Sequence, residues 1–392
     1  ETRTRIAVGG AGKSPRDRGC VYGCGWASDR LARARPAPKP TPQSLRSEIC
    51  FNRYRGRASR LVSGSEACRL IRSFLDSFLV HLPPLEVPIP EIAACCGSSD
   101  GAAIADDALK DADNVAWLLR FPETVQRRWY VRIHWIRSVD RLAEQDWLLG
   151  RPDRFQQFCH HWQAALASGQ VPVGSPYRVQ LEQMVRTWQL DRRTPGSQSF
   201  SLKAWQRYIH AIASYHRHDL RIQSLADYER AIDRLGGALF QILPDLRPDL
   251  AGGAHAFGAL DQCYNHLRDL QEDTQSGLCY FPADILASFG LHPADFATSN
   301  IFKKSGYRKF MEFWLRDYIP AKRFQAEQFA SRPDLPQTWR SLCDWSLDRY
   351  RRIETCLARC DYSYIDFSSA YWPSVCQYLL QERHRYHRVE SV

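Results

Sequence analysis

The sequence lacks the features of several protein classes, and each absence excludes one class of fold. Strand signals are nearly missing, because no run alternates Val, Ile or Thr with polar residues. The longest apolar stretch near the N-terminus, around Leu70 to Leu82, is too short to cross a bilayer and carries Arg72 and Asp76. The C-terminus is too polar to act as an anchor, since residues 383–388 include three arginines. We therefore expect neither a sheet protein nor a membrane-spanning one.

Zinc-finger and disulfide patterns are also absent, although the chain has 13 cysteines in 392 residues. Cys20 and Cys24 have no second pair that would complete a zinc site, and the chain is too long for a disulfide-stapled miniprotein. We expect most of the cysteines to be free thiols in a reducing compartment. Serine and cysteine nucleophile motifs are missing, as is the GxGxxG fingerprint of dinucleotide-binding folds.

The positive charge of the chain is concentrated at its start. The net charge is +10, yet residues 1–60 alone hold 14 Lys/Arg and 4 Asp/Glu, and the rest of the chain holds 39 of each. Basic patches attract nucleic acid, but the body of this chain is neutral. We therefore expect no nucleic-acid binding by the body.

Residues 1–100 form a basic leader rich in Pro, Gly and Arg, predicted to be largely disordered with one helix near Glu66 to Val80. Three interpretations stay open: a non-catalytic disordered leader, an organelle transit peptide, or residues added by a misassigned start. The expected location is accordingly cytoplasmic or peripheral to a membrane, and an organelle if the leader is a transit peptide.

Residues 101–392 are predicted to form one all-α domain, because apolar residues recur at spacings of three and four nearly throughout. Pro122 fits the first turn of a helix running towards Gly150. Further helices are predicted over Leu202–Arg217, Leu225–Ile242, Ala254–Thr274, Tyr307–Gln328 and Pro336–Arg359.

Two helices carry rows of acidic residues. The row nearer the C-terminus, which we call the second acidic row, consists of Asp261, Asn265, Asp269 and Asp273, spaced by four and therefore on one helix face. The first acidic row, Asp140 and Glu144, lies one turn after Arg137. Either row alone is most simply a solvated helix face. Facing each other, they would form a cavity with carboxylates on both walls, suited to Mg²⁺ shared with substrate phosphates.

The stretch from Asn265 to Pro282, NHLRDLQEDTQSGLCYFP, resembles the signature of the squalene/phytoene synthase family, N-x-L-R-D-x-x-x-D followed by G-[RK]-x-Y-[LF]-P. The positions that match are Asn265, Arg268, Asp269, Asp273, Gly277, Tyr280 and Pro282, with Gln262 at the family's upstream Gln. IRSVDRLAE is similar to the first aspartate-rich motif, R-x-x-D-D-x-x-D. The resemblance covers roughly residues 110–360.

This resemblance implies an isoprenoid-synthase-type helical bundle around a central cavity. It implies a transferase that joins two C15 or C20 prenyl diphosphates head to head through a cyclopropyl diphosphate, with NADPH needed if the product is squalene. The Mg²⁺ ligands and catalytic residues are then Asp140, Glu144, Asp269 and Asp273. The substrate-binding residues are Arg137, Gln262, Asn265, Arg268, Tyr280 and, on the hydrocarbon side, Trp117. Peripheral membrane association is a further expectation.

The sequence departs from the family pattern at several positions. Arg141 replaces the second Asp of the first motif, Glu144 stands where Asp is usual, and Leu278 takes the usual Arg/Lys position. His216 and His218 show no recognisable metal spacing and are interpreted as surface or structural residues. Two alternatives remain: a catalytically silent relative that acts as a binding or assembly factor, and an unrelated helical protein whose leader binds nucleic acid or an anionic membrane. Retention of Asn265, Arg268, Asp269 and Asp273 together favours the enzyme.

Overall fold

The structure is a computed structural model, and it describes residues 109–148, 153–190, 199–216, 220–296, 298 and 300–390. The leader and its predicted helix near Glu66 to Val80 lie outside the described residues, so both stay predictions. Within the described ranges there is no strand, only an isolated bridge between Arg221 and Cys279. The all-α prediction is confirmed.

The described chain begins with a helical turn over residues 109–115. The helices that follow are α1 (Glu123–Leu148), α2 (Asp153–Ser168), α3 (Arg178–Trp188), α4 (Phe200–Tyr215), α5 (Leu225–Ile232), α6 (Ala238–Phe240), α7 (Ala251–Gln275), α8 (Ala283–Ser288), α9 (Pro293–Phe296), α10 (Ser305–Glu312), α11 (Ile319–Ala330), α12 (Gln337–Arg359) and α13 (Tyr364–Glu390). Short 3₁₀ turns occupy Ala116–Arg120, Pro248–Leu250 and Ile301–Lys303, and π-helical turns at Asp233–Gly237 and Phe313–Tyr318 join α5 to α6 and α10 to α11.

The predicted helix bounds agree with the structure to within a few residues, because local signals fix the ends. Ser224 caps α5 with a reciprocal capping box to Asp227. Ser199 accepts a hydrogen bond from the Leu202 amide at the start of α4. The Pro122 carbonyl accepts from the amides of the first turn of α1. The bounds of α2, α3 and α13 were not predicted.

Tryptophans hold the first half of the bundle together. Trp135, Trp162, Trp188 and Trp205 come from α1, α2, α3 and α4, and their ring centroids lie 5.4 to 6.5 Å apart. Tilted and edge-on contacts of this kind stabilise beyond the area that they bury. Because Trp135 anchors one side of α1, Asp140, about 140° further round that helix, is turned away from this cluster.

Glycines set the closest helix crossing. A Cβ on Gly236 would collide with the carbonyl of Gly258 on α7, and a Cβ on Gly258 would collide with the carbonyl of Gly236. Only two glycines permit the backbones to approach this closely. The crossing packs the π-helical turn after α5 against the middle of α7, which fixes the helix that carries the second acidic row.

All seven cysteines within the described ranges are free thiols, as predicted. In those same ranges, no helix combines the length and apolar character that crossing a bilayer requires.

Candidate active site

The first acidic row faces a histidine from another helix. One ligand atom each from Asp140, Glu144 and His216 lies within 4.8 Å of the other two. His216 directly follows α4, and its Nε2 is 3.5 Å from Oδ1 of Asp140. Burial lowers the pKa of His216, whereas the charge of Asp140 raises it. The side chain of His216 is only 11% exposed, so it is not a surface residue, and it contributes to this group of donor atoms.

Arginines surround the first acidic row. Arg137 donates from Nη1 to Asp140 at 2.7 Å and from Nε to Asp111 at 2.9 Å. Asp111 also pairs with Arg141. The Arg141 side chain is therefore about one-third exposed and bound by a carboxylate, rather than simply solvated.

In the second acidic row, Asp269 is held by two cations. Arg268 donates to both of its oxygens, at 2.8 Å from Nε and 2.6 Å from Nη2. The Lys110 Nζ lies 3.5 Å from Asp269 and 2.8 Å from Glu272. Burial alone would raise the pKa of Asp269, but Arg268 and Lys110 lower it below its usual range. This carboxylate is therefore firmly ionised and oriented.

Asp273, one turn later, is in the opposite electrostatic state. Its pKa is raised well above the usual value by burial and by the charges of Asp269 and Glu272, with a further contribution from Glu144 on α1. Within the described part of the chain Asp273 makes no ion pair. The charge of Lys110 lowers this pKa only in part, and a carboxyl group whose carboxylate neighbours outweigh the nearby cation is a place where a bound cation would be stabilised.

Tyr280 shows that the two rows converge. Its side chain is buried, and burial raises the pKa of its phenol well above the usual value. Four carboxylates raise this pKa further, and they are the members of both rows: Asp273, Asp140, Glu144 and Asp269. The charges of the first row likewise raise the pKa of Tyr208 on α4. The rows therefore surround one common, half-buried region.

A glycine turn brings Tyr280 to this place. Gly277 has φ +79°, and the Leu278 amide bonds to the Asp273 carbonyl at 2.8 Å, which ends α7 with a left-handed cap. Leu278, at the usual Arg/Lys position, is buried. The chain then runs beside residues 221–223, where the Ala283 amide donates to the Ile222 carbonyl at 2.8 Å.

His266 connects Gln262 to Tyr280. The rings of His266 and Tyr280 are stacked, with centroids 4.2 Å apart and planes 6° from parallel. The Nε2 of His266 is 3.0 Å from the Gln262 amide nitrogen, and its Nδ1 is 3.3 Å from the Tyr228 hydroxyl. Burial lowers the pKa of His266 to about 3, so the ring is neutral near pH 7. Gln262 thus supports Tyr280 through a neutral imidazole.

The second acidic row divides into two functional parts. Asp261 is buried and accepts hydrogen bonds from Arg349 and from the Tyr350 hydroxyl, both at 2.6 Å. Asn265 donates to Asp261 at 3.2 Å. Asp261 thus joins α7 to α12, and the predicted role of Asn265 in substrate binding stays a prediction, as does metal binding by Asp269 and Asp273.

Trp117 lies apart from the carboxylates. It is fully buried and packs edge-on against Trp129, with centroids 5.0 Å apart. Trp129 precedes Asp140 by eleven residues, which is roughly 16 Å along α1. Its position does not bring it to the rows, so we assign Trp117 to the core. A pocket around Gln271, lined also by Phe302, Tyr364 and Ile365, contains none of the predicted site residues.

Sequence analysis missed Lys110, Asp111, Tyr208 and His216. The first two stand in the turn over residues 109–115 and the others at α4, far in sequence from either motif. No spacing rule links them to the rows, because their contribution depends on tertiary packing.

The donor set fits a divalent cation. Mg²⁺ binds carboxylate, water and phosphate oxygens, and the two rows supply four carboxylates around one region. The pKa of Asp273 is raised first by burial and then by its carboxylate neighbours, and a cation between the rows would offset the second of these effects.

Comparison with known families agrees with this geometry. A family model described as squalene/phytoene synthase matches residues 109–375, a range that contains both acidic rows, Tyr280 and Lys110. No curated protein matches the chain. The match spans more than half of the 392 residues. The chain therefore belongs to the squalene/phytoene synthase family.

Proposed function

We propose that the chain joins two prenyl diphosphates head to head, with Asp140, Glu144, Asp269 and Asp273 holding Mg²⁺ at the diphosphate. The observation that carries this proposal is that the adjacent residues Lys110 and Asp111 reach one row each: the Lys110 Nζ lies 3.5 Å from Asp269, and Asp111 accepts from Arg137 beside Asp140 at 2.9 Å. The charges of all four carboxylates acting on the phenol of Tyr280 agree with this proximity. Two rows that faced different regions could not both hold the ions of one diphosphate.

Family membership supports the coarser part of this statement. It favours prenyl transfer of the head-to-head type, prenyl diphosphates as the substrate class, and a divalent metal as the usual cofactor. It also agrees with the all-α isoprenoid-synthase fold. The C15 or C20 chain length, the cyclopropyl intermediate and the need for NADPH belong to the proposal.

Diphosphate leaves an allylic carbon slowly until its charge is neutralised, and a divalent cation supplies that neutralisation when bound. Positively charged side chains of the protein neutralise the rest of the diphosphate charge. Arg137 lies beside the first row and Lys110 beside the second, so both can approach the diphosphate oxygens. Arg268 has Nε and Nη2 directed at Asp269, so we assign it to orienting that carboxylate.

Aromatic residues protect the allylic carbocation that forms when the diphosphate leaves. An allylic cation reacts with water unless the site excludes it, and π faces stabilise positive charge. Tyr280 and Tyr208 are both buried beside the carboxylates, which suits them to this task. Their phenols stay protonated at neutral pH because burial and the nearby carboxylates raise their pKa values.

The test is incubation of the purified chain with C15 or C20 prenyl diphosphate and Mg²⁺, with and without NADPH, followed by hydrocarbon analysis. We expect a coupled product that disappears with EDTA and in Asp269→Asn, while Asp344→Asn, on the exposed side of α12, retains it. A coupled product without NADPH would favour phytoene or a dehydrosqualene, and one that needs NADPH would favour squalene.

If the folded protein gives no coupled product from either substrate, the enzyme proposal fails. A catalytically silent relative that serves as a binding or assembly factor would then be the better account. The circular dichroism spectrum of the same preparation establishes that the protein is folded.

A further inference from the structure

His216 is the residue at the site that neither the motifs nor the family pattern assigns. It stands at the end of α4, and its Nε2 faces Oδ1 of Asp140 at 3.5 Å. That separation is longer than a good N–H···O hydrogen bond, so the ring is not held by Asp140 alone. Its other nitrogen, Nδ1, is buried and makes no hydrogen bond of good geometry within the described residues.

The spacing of the three donor atoms fits a common ion. Two ligand atoms held about 2.1 Å from one metal lie about 3.0 Å apart at a right angle and about 3.4 Å apart at the tetrahedral angle. The Nε2–Oδ1 distance of 3.5 Å is close to the latter, and all three donors lie within 4.8 Å of one another. Asp140, Glu144 and His216 are therefore grouped closely enough to hold one metal ion.

The donor chemistry selects the ion. Mg²⁺ takes oxygen ligands, whereas an imidazole nitrogen favours first-row transition metals. Arg141 stands where the family pattern has a second Asp, so the first row lacks that carboxylate, and the Arg141 side chain is paired with Asp111. The first row therefore offers two carboxylates and one imidazole, in contrast to the carboxylates of Asp269 and Asp273.

We propose that Asp140, Glu144 and His216 form a mixed carboxylate–imidazole site that binds a divalent transition-metal ion, such as Mn²⁺ or Co²⁺, in preference to Mg²⁺. The use of that ion in prenyl transfer rests on the proposed function, but its binding does not.

The test is pulsed electron paramagnetic resonance of the full chain, freed of metal with a chelator and loaded with one equivalent of Mn²⁺. A directly bound imidazole gives ¹⁴N modulation. We expect this modulation in the wild type and in His210→Ala, an exposed histidine on α4 that serves as the matched control, and its loss in His216→Ala. Absence of the modulation in the wild type, or its persistence in His216→Ala, would overturn the proposal.

A second measurement covers the case in which a variant is poorly folded. Calorimetric titration should give wild-type binding tighter for Mn²⁺ than for Mg²⁺. In His216→Ala with an unchanged melting temperature, the Kd for Mn²⁺ should rise by about tenfold or more, and that for Mg²⁺ by less than about threefold. Equal weakening for the two ions would contradict a nitrogen ligand.

The two proposals fail separately. If ¹⁴N modulation is present and no coupled product forms, the proposed function fails and the mixed site stands. If the coupled product forms with Mg²⁺ and no modulation is found with Mn²⁺, the mixed site fails and the proposed function stands.

Discussion

The two acidic rows of this protein have similar sequences and different electrostatics. The first row, on α1, shares its region with Arg137 and a largely buried imidazole. In the second row, on α7, Asp269 is neutralised by Arg268 and Lys110, while Asp273 has raised pKa and no ion pair within the described residues. The first row is partly balanced by Arg137 and His216, whereas in the second row the charge of Lys110 only partly offsets the raised pKa of Asp273. We therefore expect a cation bound between the rows to lower the pKa of Asp273.

The largest effect of a substitution on activity is expected at Asp273. We expect Asp273→Asn to lower kcat/KM by about 10³-fold, which corresponds to about 4 kcal/mol of transition-state stabilisation. The measurement is initial-rate release of pyrophosphate from the prenyl substrate that the wild type uses. Asp344→Asn is the matched control and should stay within about twofold. Retention of wild-type rates in Asp273→Asn would exclude it as a ligand.

Removing the partner of Asp261, at the other end of the second row, should lower the stability of the fold rather than the rate. Arg349→Met leaves the buried Asp261 carboxylate without its cation, and loss of one partner of a buried ion pair costs about 3–5 kcal/mol. Urea denaturation should show this decrease in the free energy of unfolding. Arg351→Met removes an exposed ion pair to Asp348 on the same helix and serves as the control, with an expected change of about 0–1 kcal/mol. An unchanged free energy of unfolding in Arg349→Met would show that Asp261 is not structurally bound.

Within the second row, the two site carboxylates should affect stability with opposite sign. Asp269 has a lowered pKa in the folded protein, so it stabilises the fold above its unfolded-state pKa, and this stabilisation is lost as the pH falls through the folded-state value. Asp273 has a raised pKa, so the stability that its protonated carboxyl group contributes is complete below the unfolded-state pKa and is lost as the pH rises from there towards the folded-state value. At pH 7 without metal, Asp269→Asn should therefore lower the melting temperature, and Asp273→Asn should raise it.

The measurement is differential scanning calorimetry in EDTA at pH 7 and again at pH 4.5, where the gain in Asp273→Asn should shrink. Shifts of the same sign in the two variants at pH 7 would contradict the difference that we describe within this row.

The smallest effect is expected at Arg141 in the first row. Arg141 is about one-third exposed and pairs with Asp111, and ion pairs of this exposure contribute about 0–1 kcal/mol. Arg141→Gln should therefore change kcat/KM by less than about fivefold. A loss as large as that of Asp273→Asn would place Arg141 at the diphosphate instead.

Sequence reasoning succeeded where chemistry follows local spacing. The periodicity predicted α1, α7 and α12 to within about three residues, and the motif predicted Tyr280, which the structure places beside all four carboxylates. A four-residue spacing made Asp261 and Asp273 look equivalent. They differ because Arg349, 88 residues after Asp261, packs against one of them and not the other.

Residues that reach the site from elsewhere could not be predicted. Lys110 contacts Glu272 across 162 positions, and His216 meets Asp140 only because α4 ends next to α1. Tertiary packing decides each of these cases, and no local pattern encodes it.

The central claim is that both rows act on the same diphosphate, and a double-mutant cycle tests it most directly. Asp140→Asn, Asp273→Asn and the double variant are compared by kcat/KM for coupled-product formation. Residues that act as a unit are strongly non-additive. We predict that the double variant loses little more than the worse single variant. Losses that multiply would show two independent sites and contradict the account.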